Sequence, residues 1–112
     1  MNFNEYESKA RATAMYPKDV LSAISYLALG LNGEAGEVAE KVKKIIRDKP
    51  DLAEALVEQK MDLALELGDV LWYVSQICAE LGISMQEVAE MNIEKLYSRK
   101  SREKLSGSGD FR

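Results

Sequence analysis

Proline occurs at only two places in this chain, Pro17 and Pro50, and that scarcity constrains the fold more than any other feature. Proline lacks a backbone N–H and its ring clashes with the preceding turn, so it pauses or ends a helix. Between and beyond these two positions, Ala, Leu, Glu and Lys recur at helical spacing, and no run of alternating β-branched residues marks a strand. The pattern is all-α: a bundle of four to five helices.

The first helix is expected from about Phe3 to Met15. A second begins behind Asp19, a suitable N-cap, and continues to about Arg47, with a break around Pro50. Leu52 to Leu81 reads as a short helix to about Glu58 and then a long one, which Gly82 terminates. The last starts behind Ser84, where Ser84 and Glu87 have capping-box spacing, and runs to about Lys104. At 112 residues the chain has enough material for one core and too little for two. Residues 1–105 are therefore read as one domain, and residues 106–112, Ser-Gly-Ser-Gly-Asp-Phe-Arg, as a flexible tail.

Composition narrows the chemistry. There is no histidine and one cysteine, Cys78. That excludes Ser/His and Cys/His nucleophilic arrangements, Cys/His zinc sites and Glu-x-x-His di-iron sites. Carboxylates, lysines and hydroxyls must carry any reaction. A single Cys forms no internal disulfide and no long apolar run is present, so a cytoplasmic protein with no membrane partner is expected. The formal charge is −4, unevenly spread: residues 1–94 hold 9 Lys+Arg and 17 Asp+Glu, whereas residues 95–112 hold 6 and 2. An acidic body argues against binding duplex nucleic acid.

The long third segment is apolar on two sides. At about 100° per residue, Leu63, Leu67, Val70, Val74, Ile77 and Leu81 fall in one stripe, and Met61, Leu65, Trp72 and Ala79 gather opposite. A helix of that kind is buried from both directions. With so few helices available, the second face is expected to meet another copy of the chain, giving a homodimer or homotetramer. Trp72 is assigned to that interface.

Two acidic pairs border the core stripes: Glu34-x-x-Glu37 on the second helix and Glu66-x-x-Asp69 on the third. Residues three apart on a helix are neighbours, so each pair presents two carboxylates to one locus. Antiparallel packing of the two stripes would bring all four together. Such a cluster repels itself unless cations are bound or some acids are protonated. An all-oxygen set without nitrogen or sulfur suits Mg²⁺, with Mn²⁺ a possible substitute. Gly30, Gly33 and Gly36 follow the same flank and leave room beside the acids, and Lys41 and Lys44 lie one and two turns beyond, where they could meet anionic ligand groups. Taken singly, each of these features is an ordinary surface or packing pattern; their joint placement suggests a metal-phosphate site. Tyr73 lies angularly between Glu66 and Asp69, within reach of a base or ribose.

Gly30-Leu-Asn-Gly-Glu-Ala-Gly-Glu-Val-Ala-Glu-Lys-Val-Lys-Lys44, then Glu66-Leu-Gly-Asp-Val-Leu-Trp-Tyr-Val74, then Leu81-Gly-Ile-Ser-Met-Gln-Glu-Val-Ala-Glu-Met-Asn-Ile-Glu-Lys-Leu96 form an ordered series over most of the chain. This series resembles the MazG-like nucleotide pyrophosphohydrolases, all-α enzymes related to dimeric dUTPases and phosphoribosyl-ATP pyrophosphatase. The resemblance implies Mg²⁺-dependent cleavage of a nucleoside triphosphate to the monophosphate and pyrophosphate, with Glu34, Glu37, Glu66 and Asp69 as metal ligands. Either Glu34 or Glu37 would be the base for the attacking water. Asn92 and Lys95 resemble the family's Asn-x-x-Lys pair near the nucleotide, and Arg99 is a further phosphate candidate. Two alternatives stand beside this reading: a non-catalytic dimerisation or nucleotide-sensing module, and a narrower enzyme for dUTP, dCTP or phosphoribosyl-ATP.

Overall fold

The computed structural model describes residues 1–112 and contains five helices and no strand: α1 (Phe3–Arg11), α2 (Val20–Asp48), α3 (Leu52–Glu58), α4 (Lys60–Leu81) and α5 (Met85–Ser101). Local chemistry sets most of the boundaries. Asn2 and Glu5 close a capping box on α1, Asp19 accepts from the Ser22 N–H, Asp51 from the Glu54 N–H, and Ser84 and Glu87 cap each other at α5. Each cap satisfies N–H groups that the first turn leaves without an intrahelical partner. Gly82 ends α4 at φ 70°, a left-handed conformation that glycine adopts without strain. α1 stops four residues short of the expected Met15, because a turn and the loop through Tyr16 and Pro17 intervene before Asp19.

α2 and α4 form the main packing pair and run antiparallel. Near the start of α2, Ala23 and Leu27 are buried with Tyr16, and Trp72, Tyr73 and Ile77 of α4 pack on them. Further along, Gly30 faces Tyr73 and Lys41 reaches Glu66, so the numbering rises on one helix as it falls on the other. α1 crosses α4 and is pinned there by charge: the Arg11 guanidinium donates to Gln76 at 2.9 Å and pairs with Glu80 at 3.2 Å, and the Tyr16 hydroxyl donates to the same Glu80. α5 packs on α1 and on α4, with Glu7 accepting from the Met85 N–H, and does not touch α2.

Two expectations are corrected by this arrangement. Leu67 and Leu81, placed in the core stripe of α4, remain 55% and 66% exposed, because α1 and α2 cover the neighbouring face and bury Ser75, Gln76 and Cys78 instead. Gln76 tolerates burial because Arg11 donates to its amide oxygen. Trp72 faces inward: its indole N–H donates to Thr13 Oγ1 at 2.8 Å, and its ring meets Tyr16 and Tyr73 edge-on at 6.5 and 5.0 Å. Residues 106–112 run back along α5, where Arg99, Arg102 and Arg112 donate to backbone carbonyls.

A radius of gyration of 17.1 Å is well above the ~13 Å expected of a compact chain of this length, and only 11 of 112 residues are buried. The excess has a simple source. α2 is 29 residues long, about 43 Å at helical rise, and the remaining helices cover only part of it. Leu29, Met61 and Leu65 stay exposed along the α2–α4 layer. No helix is long and apolar enough to cross a membrane.

Candidate metal centre

The antiparallel register of α2 and α4 sets Glu34 opposite Glu66 and Asp69, and one carboxylate oxygen from each lies within 4.8 Å of the other two. Oxygens on opposite sides of a Mg²⁺ ion stand about 4.2 Å apart, twice the 2.1 Å ligand distance. Small side-chain adjustments would close this set around such an ion. The donors are all carboxylate oxygens, the chemistry a hard divalent cation requires. Glu34 and Glu66 are half-buried and Asp69 is exposed, which leaves one side of the cluster open.

Electrostatics bear the marks of this crowding. Burial first, then the charges of Asp69, Glu66 and Glu37, hold the Glu34 carboxyl above its ordinary value. Glu37 thus acts on the cluster through its field, yet its own oxygens lie outside the three-carboxylate set and its side chain is exposed. Four acids were expected to converge; three do, with the fourth one helical turn along α2. An ammonium supplies the balancing charge: Lys41 Nζ is 3.3 Å from Glu66 Oε1. Lys44 instead pairs with Glu40 at 3.6 Å, on the outer face of α2.

The glycines divide into two kinds. At Gly30 an added Cβ would lie 2.8 Å from Cδ1 of Tyr73 and closer still to Cε1 and Cζ, so this glycine accommodates a ring of the same chain rather than a ligand. At Gly33, Gly36 and Gly68 a Cβ would meet nothing within 4 Å, which agrees with the room expected beside the acids. Tyr73 stands at the border between core and acids. Its phenol is pushed up by burial first, then by Tyr26, and also by Glu34 and Asp69.

Asn92, Lys95 and Arg99 are not brought to this cluster. They lie on α5, which does not contact α2. Asn92 is exposed, with Leu81, Ile83, Val88, Met91 and Lys95 around a shallow hollow. Lys95 pairs with Asp110 at 3.1 Å, and Arg99 is buried against the carbonyls of Gly109 and Asp110. One neighbour of the site escaped the sequence reading. Tyr6 of α1 is pushed up by burial and then by the charge of Asp69. No sequence signal places it there, because α1 is held on α4 by Arg11 and on α5 by Glu7 rather than by a periodic apolar stripe.

Residues 22–102 match the MazG nucleotide pyrophosphohydrolase domain. The span covers well over half of the chain and includes all four acids and both helices that carry them, and the chain belongs to this family. Among relatives, the "Gene 37 protein" of Mycobacterium phage L5 is 45% identical over 116 aligned residues that take in the whole of both chains. The "Uncharacterized protein YvdC" of Bacillus subtilis (strain 168) is 39% identical over 69 residues, covering 59% of this chain and 65% of that protein. No solved structure matches the chain.

Proposed function

We propose that this chain hydrolyses nucleoside triphosphates, in ribo or deoxy form, to the monophosphate and pyrophosphate with Mg²⁺, Mn²⁺ being a workable substitute. The observation that carries the proposal is the three-carboxylate cluster on two antiparallel helices, within 4.8 Å and beside open space, inside the region that matches a nucleotide pyrophosphohydrolase domain. A role in clearing unwanted nucleotides follows naturally from such an activity.

Glu34, Glu66 and Asp69 hold the metal in this account, and Glu37, one turn away, completes the shell or acts on the water. Bound there, Mg²⁺ would withdraw charge from the phosphate oxygens and orient the polyphosphate. The protein's own groups supply the rest. A carboxylate of the Glu34/Glu37 pair accepts the proton of the attacking water; burial, then the charges of Asp69, Glu66 and Glu37, raise the Glu34 carboxyl above its ordinary value, which suits a proton acceptor. Lys41, released from Glu66 once a cation is present, is free to turn its ammonium toward the phosphates, and Lys44 lies one turn further out. Tyr73, whose phenol feels the charges of Glu34 and Asp69, would meet ribose or base in this account.

The same proposal includes self-association. The low burial and the exposed Leu29, Met61 and Leu65 leave apolar surface on the central helices that a second copy would cover. α5 does not touch α2 in one chain, and in this proposal another subunit's α5 delivers Asn92, Lys95 and Arg99 to the acids. A panel of NTPs and dNTPs, incubated with and without Mg²⁺, tests the activity. Pyrophosphate release that requires the metal is expected, and absence of any metal-dependent product would favour a non-catalytic module. A strong preference for dUTP, dCTP or phosphoribosyl-ATP would narrow the enzyme to one substrate.

A further inference from the structure

The outer side of α5 carries a groove that the carboxylate site does not use. Two hollows of about 670 and 250 Å³ lie end to end along the helix and share Ile93. Phe3, Ala89 and Ile93 give the first its apolar lining, and Leu96, Tyr97 and Leu105 continue it into the second. Ile93 and Tyr97 are 52% and 63% exposed, and a spacing of four sets them on one face of the helix. Asn92, Lys95 and Arg99 are centred about 150° away around the same helix, at about 100° per residue. The groove is therefore a separate surface from the one proposed to meet another subunit's acids.

Charge is sorted along this groove. Glu90 and Glu94 rim its first half and Lys100 its second. None of the three forms an ion pair within the chain. Glu90 accepts from the Gln86 amide at 2.7 Å, and Lys100 Nζ stands 6.0 Å from the centre of the Tyr97 ring. The whole helix keeps the same order, with Glu87, Glu90 and Glu94 preceding Lys95, Arg99 and Lys100. A partner of one sign would suit half of the groove and be repelled by the other half. A second copy turned antiparallel suits both, because its charge order is reversed. Glu90 lies three residues before Ile93, and Lys100 three after Tyr97. Setting Ile93 against the partner subunit's Tyr97 therefore brings Glu90 opposite the partner subunit's Lys100, and the twofold repeats the pair at the other end. Parallel alignment would put like charges together.

We propose that the outer face of α5 is an interface between two copies of this chain, paired antiparallel about a twofold axis, with an Ile93–Tyr97 seam and a Glu90–Lys100 ion pair at each end. The pairing uses neither the exposed surface of α2 and α4 nor any turnover, so it stands or falls apart from the nucleotide reading. Sedimentation velocity on the full chain tests it. The parent should sediment as an assembly larger than the 12.5 kDa monomer. Ile93→Asp should halve the mass of that assembly with helical circular dichroism unchanged, because the side chain it replaces is half-exposed in the single chain. Glu90→Lys and Lys100→Glu should each raise the Kd of association by about two- to thirtyfold, the range that two exposed ion pairs support. Mixing these two variants in equal amounts should recover the parental association, since each changed charge then meets its opposite in the other chain. A parent that stays monomeric would overturn the proposal, as would an Ile93→Asp assembly of parental mass. Failure of the mixed variants to recover would overturn it too, because the antiparallel register demands recovery. If Leu65→Asp dissociates the assembly and Ile93→Asp does not, the copies meet on the central helices and α5 is not an interface.

Discussion

Lys41 Nζ stands 3.3 Å from Glu66 Oε1, so an ammonium from α2 neutralises a carboxylate that the proposed metal would claim. The two cations compete for one acid. Removing the ammonium leaves three crowded carboxylates with less compensation, and like charges in a partly desolvated site destabilise the fold. Lys41→Ala is therefore expected to lower Tm in metal-free protein and to enlarge the rise in Tm on adding Mg²⁺. Thermal melts with and without Mg²⁺ check this; an unchanged Mg²⁺ shift would mean that Lys41 does not guard the metal position.

Glu34 gives the pH counterpart. Its carboxyl is held above the ordinary value by burial and by Asp69, Glu66 and Glu37. A carboxyl raised in the folded state favours folding while protonated, and that contribution is lost as pH rises through its folded value. Glu34→Gln should accordingly raise the metal-free Tm at neutral pH, with the advantage over the parent shrinking as pH falls through the carboxylate range. Loss of stability at neutral pH in this variant would contradict the crowding.

The opposite sign applies to Glu80. The Tyr16 hydroxyl first, and then Arg11, hold its carboxyl below the ordinary range. Its stabilising contribution is present above the unfolded value and disappears as pH falls through the folded one. Glu80→Gln should cost about 1.5–3 kcal/mol at neutral pH, the scale of a hydrogen bond to a charged group, and should cost less in acid. Denaturant titrations at the two pH values measure it. Its polar partners are Arg11 and Tyr16 and none of the clustered acids, so metal affinity should be unaltered.

Glycine substitutions separate packing from site. Gly30→Ala drives a Cβ into the Tyr73 ring, and overpacking of this kind costs about 1–3 kcal/mol, more than the ~1 kcal/mol that alanine gains as a helix former. Gly33→Ala and Gly36→Ala meet open space, so each should stabilise the fold by up to about 1 kcal/mol. If the space beside the acids receives substrate, the same two changes lower turnover. Denaturant midpoints and pyrophosphate release on the three variants distinguish these effects; stabilisation with full activity at both Gly33 and Gly36 would show that substrate does not approach from that side.

Helix positions were legible in the sequence because they rest on local signals, whereas the antiparallel pairing of α2 with α4 entered only as a condition for the acids to meet. Asp19, Ser84 and Gly82 cap where their chemistry indicates, and Leu27 and Ile45 of α2 are buried. The convergence of Glu34, Glu66 and Asp69 followed from those stripes, since acids at the edge of two packed stripes must meet. What escaped is long-range and polar. Gln76 is buried because Arg11, 65 residues away in sequence, supplies a donor, and Tyr6 neighbours Asp69 because α1 is docked by that same arginine. Trp72 was assigned outward because periodicity gives an angle but not which neighbour fills it; Thr13 and Tyr16, from a loop with no period, do so. The exclusion of Glu37 has a similar cause: a spacing of three puts two acids on one side of a helix, while the crossing of the partner helix decides which of them it meets.

The central claim is that the carboxylates of Glu34, Glu66 and Asp69 form a Mg²⁺ site that cleaves nucleotides, and pyrophosphate release by the parent chain beside Asp69→Asn, across a Mg²⁺ titration, tests it most directly. The account predicts release that rises with Mg²⁺ in the parent and falls by at least about a hundredfold in the variant, as expected when a ligand of a catalytic metal is lost, with helical circular dichroism unchanged in both. Equal, Mg²⁺-dependent release from Asp69→Asn would contradict it.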